Sequence, residues 1–113
     1  MAEEDAAGRA GPKISRSMWI LETDTSAADR ATFRMPIGAV KTIGRSTGAE
    51  FMLDAPLVSR LHCQLSATDT ALEVKDLDST NGTFVNDKRI TSAKLQAGDR
   101  LRIGRVELKV FDG

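Results

Sequence analysis

With 113 residues the chain is about one domain long, and 41% apolar residues are enough for one core of modest size. Its 16 basic and 16 acidic residues cancel, which argues against a general affinity for nucleic acid or acidic membranes, so any basic site must be local. The lone Cys63 excludes an intrachain disulfide framework and a four-cysteine zinc site, and it fits a reducing cytoplasm.

Residues 1–17, MAEEDAAGRAGPKISRS, begin acidic and hold no apolar stretch, so they are not a secretory leader. They read as a disordered tail, either native or left by expression. No apolar run further on approaches the roughly 18 residues of a membrane span. The folded domain is expected over residues 18–113, opening with the apolar run MWILET.

From Met18 onward the hydrophobic period is two rather than 3.6. In LHCQLSA, Leu61, Cys63 and Leu65 fall on one face, with His62, Gln64 and Ser66 on the other. LEVKDL sets Leu72 and Val74 against Glu73 and Lys75. RLRIG and VELKVF repeat the pattern with Leu101 and Ile103, then with Val106, Leu108 and Val110. Such alternation marks half-buried strands. Turn signals such as TG, DAP, TDT, NG, ND, AGD and IGR separate the runs at close spacing, and no 12-residue stretch carries a helical stripe. The pattern predicts an all-β sandwich or small barrel. Its expected interior is Ile20, Phe33, Ile43, Leu53, Leu61, Leu65, Leu72, Val74, Leu101, Ile103, Leu108 and Val110. Trp19 is expected at the edge of this core, and Cys63 within it as an inert thiol.

Three polar segments sit at strand ends, where a rigid β scaffold offers binding residues. They are Gly44-Arg45-Ser46, Ser59-Arg60-Leu61-His62 and Ser79-Thr80-Asn81-Gly82-Thr83. Two arginines bring permanent charge and planar forks suited to phosphate. Ser59 and Thr80 add hydroxyls on short side chains, and turn amides add further donors. No activated nucleophile stands beside a base and an orienting acid. The set predicts anion capture without chemistry. Asn81, whose amide both donates and accepts, would read an extended backbone beside the phosphate. By itself Asn81-Gly82 is also a hairpin signal, and Asn tolerates the left-handed conformation.

In this order, IGRS, VSRLHCQL, DLDSTNGTFVN and LQAGDRLRIG resemble a forkhead-associated (FHA) domain, over roughly Met18 to Asp112. The resemblance implies a β-sandwich of about eleven mostly antiparallel strands in two twisted sheets, of the SMAD/FHA type, binding phosphothreonine peptides at loops on one end. It further implies that Arg45 contacts the phosphate and that Ser59 donates its hydroxyl to it. Arg60 would add a further phosphate contact, and Thr80 would lie beside the phosphate. Asn81 would bond the peptide backbone just after the phosphothreonine, while Gly44, His62 and Gly82 would brace the loops. Leu57 is the candidate for selecting the ligand residue three places on, with an apolar preference. Asp87 departs from the family's frequent glycine, but Asn86-Asp87 still suits a hairpin turn.

The expected function is a phosphothreonine-dependent docking module in Ser/Thr kinase signalling. It needs no metal or cofactor and performs no catalysis, and its ligand is a phosphorylated kinase or kinase substrate rather than nucleic acid or membrane. A cytoplasmic place is expected, or a nuclear one in a eukaryote. The competing expectation is a phosphate-independent β-sandwich scaffold that binds partners or itself through an edge strand. Thr23 and Thr25, in the acidic ETDTS, are expected to be exposed, so that phosphorylation there would link one otherwise monomeric copy to another.

Overall fold

The computed structural model describes residues 18–23 and 31–113. The expected tail and Thr25 lie outside these residues. Among the described residues there are eleven strands and no helix: β1 (Met18–Thr23), β2 (Thr32–Pro36), β3 (Val40–Gly44), β4 (Phe51–Met52), β5 (Cys63–Ala67), β6 (Leu72–Asp76), β7 (Thr83–Val85), β8 (Lys88–Ile90), β9 (Ser92–Leu95), β10 (Arg100–Ile103) and β11 (Val106–Asp112). They form a six-stranded sheet, β2-β1-β11-β10-β7-β8, and a five-stranded sheet, β4-β3-β5-β6-β9. Only the short β3–β4 pairing is parallel.

The alternation in sequence becomes the division between core and solvent. Trp19 and Leu21 of β1, Leu65 of β5, Leu72 and Val74 of β6, Leu101 and Ile103 of β10, and Leu108 and Val110 of β11 all point between the sheets. Each such aliphatic side chain contributes about 1.5–3 kcal/mol by leaving water. Phe33 of β2 and Phe51 beside β3 stack with ring centres 4.6 Å apart, which joins the two sheets at one margin. Trp19 goes further in than the edge position expected of it: it is fully buried, and its indole N–H donates to the Thr68 carbonyl at 2.8 Å.

Hairpin chemistry is local where expected. Asn86 and Asp87 both take positive φ, 49° and 71°, in the two-residue turn that closes Val85 onto Lys88. Positive φ at both central residues is the type I′ arrangement, whose twist matches the flanking strands.

Five further expectations need correction. Asn81-Gly82 is not the turn of a hairpin, because β6 and β7 belong to different sheets and residues 77–82 cross between them. Within that crossing it is Asp78 and Gly82, not Asn81, that adopt the left-handed conformation. Leu61 is not in the core; it is 49% exposed, while His62 is fully buried. The reason is that β5 begins only at Cys63, so the two-residue alternation does not reach back to Leu61. Ile20 faces outward from β1 and is half-buried rather than enclosed. Thr23 is buried, and its hydroxyl accepts the Ala31 N–H at 2.9 Å, which keeps it from a kinase in the folded chain.

Candidate functional site

The site is built where β3 ends. Its antiparallel pairing with the segment before β5 continues past the regular strands: the Ile43 carbonyl accepts the His62 N–H, the Arg45 N–H donates to the Ser59 carbonyl at 2.9 Å, and the Ser46 N–H donates to the Arg60 carbonyl at 3.2 Å. This brings Arg45 beside Ser59 and Arg60, although 13 residues separate them in sequence. Gly44 is needed here for space rather than for conformation. A Cβ on it would fall on the Arg60 carbonyl, 2.7 Å from the carbonyl carbon, with the Leu61 Cα at 3.0 Å. Gly44→Ala should therefore push the Ser59–Arg60 segment off β3, destabilising the fold by about 1–3 kcal/mol. Thermal unfolding would measure this, and an unchanged melting temperature would contradict the close packing.

Ser59 is bonded through three different atoms. Its N–H donates to His62 Nδ1 at 3.0 Å, its carbonyl accepts from Arg45, and its Oγ accepts the Thr80 N–H at 3.1 Å. A hydroxyl that accepts in this way keeps its own proton free to donate outward. His62 then spans the gap beneath. Since Nδ1 accepts from an amide, Nε2 carries the proton and donates to the Gly82 carbonyl at 2.9 Å. One neutral imidazole thus joins the segment before β5 to the crossing 77–82.

That crossing folds around Asp76. Its Oδ2 accepts the Ser79 N–H at 3.1 Å, and its Oδ1 accepts both the Ser79 hydroxyl and, at 2.7 Å, the Thr83 hydroxyl. Ser79 Oγ in turn accepts the Gly82 N–H at 3.0 Å. Burial opposes the Asp76 charge, but the bonds from Ser79 and Thr83 outweigh it and hold the carboxyl below the usual carboxylate range. Asp76 is the functional residue the sequence reading passed over. The spacing Asp-x-x-Ser, an Asx-type turn, is the signal that would have found it.

Leu57 carries visible backbone strain. Its φ is 71°, a region that costs a bulky L-residue about 1–2 kcal/mol. Two neighbours hold it there: the Asn81 amide donates to its carbonyl at 3.1 Å, and the β10–β11 turn packs so closely that a Cβ on Gly104 would meet the Leu57 carbonyl at 2.9 Å. The result is a leucine displayed to solvent, 43% exposed, next to Asn81.

These segments enclose one open cleft of about 820 Å³, lined by Arg45, Ser46, Leu57, Val58, Ser59, Arg60, Leu61, Asp78, Thr80 and Asn81. Arg45, Ser59, Arg60, Thr80, Asn81 and Leu57, scattered over 37 positions in sequence, thus meet on one surface. Gly44, His62 and Gly82 lie buried behind it. Neither the Arg45 nor the Arg60 guanidinium has a hydrogen-bond or ion-pair partner among the described residues, and both are exposed. Two guanidiniums without a partner and a hydroxyl with a free proton therefore line one concave surface, whose rim also carries the Asp78 carboxylate. No group of three or more potential metal-binding side chains occurs among the described residues. Cys63 sits in the core behind this region, where burial pushes its thiol up to about 12 and keeps it unreactive.

The family model described as FHA domain matches residues 41–104, more than half of the chain. The chain belongs to the FHA domain family. The matched stretch includes every residue that lines the cleft. An ABC transporter ATP-binding/permease protein of Mycobacterium tuberculosis is 40% identical over 84 residues, covering 74% of this chain and 10% of the transporter. An oxoglutarate dehydrogenase inhibitor of Corynebacterium diphtheriae is 31% identical over 102 residues, covering 90% of this chain and 69% of the inhibitor. The chain therefore spans a small part of one relative and about two thirds of the other. Among solved structures, an FHA domain studied for its phosphothreonine-dependent interactions is 32% identical with a TM-score of 0.75, covering 83% of this chain and 95% of its own. The two chains share one fold at that TM-score.

Proposed function

We propose that this FHA domain docks onto phosphothreonine-containing proteins, with the phosphate held by Arg45, Arg60, Ser59 and Thr80 and the following peptide backbone held by Asn81. The observation that carries this reading is the pair of unpartnered guanidiniums that line one cleft together with the Ser59 hydroxyl. A threonine phosphate carries about −1.5 to −2 charges and three acceptor oxygens, which this donor set can satisfy together. Hydrogen bonds to charged groups contribute about 1.5–3 kcal/mol each before desolvation is counted. After that cost, an affinity in the micromolar range, near −8 kcal/mol, is the expected net.

The cleft-lining side chains include no histidine or cysteine, and His62 is committed beneath the loops. On this reading the site is a clamp that binds and releases, and the domain's role is to bring a partner to a Ser/Thr kinase or to a kinase's product. The docking module is the stretch that begins at Met18, within residues 18–113. A cytoplasmic place suits such partners, and no helix among the described residues is long and apolar enough to cross a membrane. Leu57, displayed beside Asn81, is the residue that reads the ligand three places after the phosphothreonine and favours an apolar side chain there.

Isothermal titration with three matched peptides tests the reading. The phosphothreonine peptide should bind in the micromolar range, the phosphoserine version at least about tenfold more weakly for want of the methyl contact, and the unmodified peptide not measurably. Equal binding of all three would discard the phosphate clamp and favour the edge-strand scaffold.

A further inference from the structure

Leu61 stands between Arg60, on the cleft surface, and His62, which is buried beneath it. It is 49% exposed and lines the cleft, four residues along from the strained Leu57. A single leucine in water is ordinary. Two of them lining one cleft with a pair of arginines are not, when the backbone is strained to present the first.

Their sides can be assigned. The Leu57 carbonyl is bonded to the Asn81 amide, so Leu57 belongs to the Asn81 end of the cleft. The Leu61 backbone lies against Gly44, which precedes Arg45, and Ser59 stands midway between the two leucines in sequence. An extended ligand advances about 3.4 Å per residue. One whose phosphate sits at Ser59 and whose following backbone sits at Asn81 passes Leu57 on its way out and Leu61 on its way in.

We infer that Leu61 is a specificity-determining residue that packs against an apolar side chain on the amino-terminal side of the phosphothreonine. The ligand class is then narrower than phosphothreonine alone: an aliphatic residue within two positions ahead of it, as well as one after it. This rests on the phosphothreonine reading above.

The test is fluorescence anisotropy with two phosphothreonine peptides that differ only in the two residues ahead of the phosphothreonine, both leucine in one and both serine in the other. Varying both positions covers either facing of an extended chain. The wild-type domain should favour the leucine peptide by about five- to tenfold, less than the more than tenfold expected for a fully buried leucine because the cleft is open to water. Leu61→Ser should reduce that ratio below about twofold, and Leu61→Met should restore it. Melting temperatures of the variants would report that the fold is retained. A wild-type ratio near one, or a ratio unchanged in Leu61→Ser, would overturn the inference while leaving the phosphate clamp intact. No binding of either peptide by the wild type would instead overturn the clamp, and this inference with it.

Discussion

Arg45→Ala is expected to reduce phosphothreonine-peptide binding by at least about a hundredfold without lowering thermal stability. The two halves of this expectation come from different atoms. The backbone N–H of Arg45 holds the Ser59 carbonyl and is untouched by the substitution. Its guanidinium is exposed and makes no bond within the described chain, so its loss leaves nothing unsatisfied inside the protein. A bidentate contact to phosphate, at about 1.5–3 kcal/mol for each charge-assisted bond, amounts to about 3 kcal/mol, and about 1.4 kcal/mol is a factor of ten. Arg45→Lys should fall between, losing about tenfold, because a point charge cannot bond two oxygens in a plane. Titration calorimetry and a melting curve on the same samples would separate the effects. Unchanged affinity in Arg45→Ala would remove Arg45 from the phosphate site.

Much of this molecule could be read from residue order alone, and the parts that could not share a physical cause. A period of two is a local signal, so Leu72, Val74, Leu101, Ile103, Leu108 and Val110 were assignable to an interior without knowing which strands pair. The signal says nothing about where a strand starts. Leu61 and His62 exchange places relative to the alternation because they precede β5, in a segment whose side chains are set by contacts with Ile43 and Gly82 rather than by the pleat. Asn81-Gly82 misled for a related reason. The dipeptide encodes a tight turn, and only tertiary pairing decides whether the next strand returns to the same sheet. The left-handed backbone at Leu57 was invisible, since no leucine suggests it; Gly104 and Asn81, remote in sequence, impose it. Arg45, Ser59, Arg60, Thr80 and Asn81 were singled out by chemical type and order, and the structure brings their side chains to one cleft.

The bracing behind the cleft explains why the loops can be short and still hold a geometry. Four hydrogen bonds do the joining: Thr80 N–H to Ser59 Oγ and the Asn81 amide to the Leu57 carbonyl at the surface, and Leu77 N–H to the His62 carbonyl and His62 Nε2 to the Gly82 carbonyl beneath. Each ties the crossing 77–82 to the segment before β5, so the side chains that line the cleft from both sides are held in one frame. A ligand then meets donors already in place, and little of its binding free energy is lost to ordering the loops.

The second large effect is expected at Asp76, in stability and in its dependence on pH. In Asp76→Asn the remaining oxygen could still accept the Ser79 and Thr83 hydroxyls, but the amide nitrogen would face the Ser79 N–H, donor against donor. Losing one charge-assisted bond and leaving an amide unpaired should cost about 2 kcal/mol at pH 7, and phosphopeptide binding should weaken with it as Thr80 and Asn81 lose their support. The sign with pH follows from the carboxyl being held below its ordinary range in the folded chain. A depressed folded value means that the charged form is favoured by folding. Its stabilisation is therefore complete above the ordinary carboxylate pKa of about 4 and is lost as pH falls through the folded value below it. The gap between wild type and Asp76→Asn in urea unfolding should thus be widest near pH 7, begin to narrow below about pH 4 as the carboxyl of the unfolded chain takes up its proton, and close only once the folded carboxyl is protonated at lower pH. Equal midpoints at pH 7, or a gap that does not shrink in acid, would show that the crossing 77–82 is held by something other than the Asp76 carboxylate.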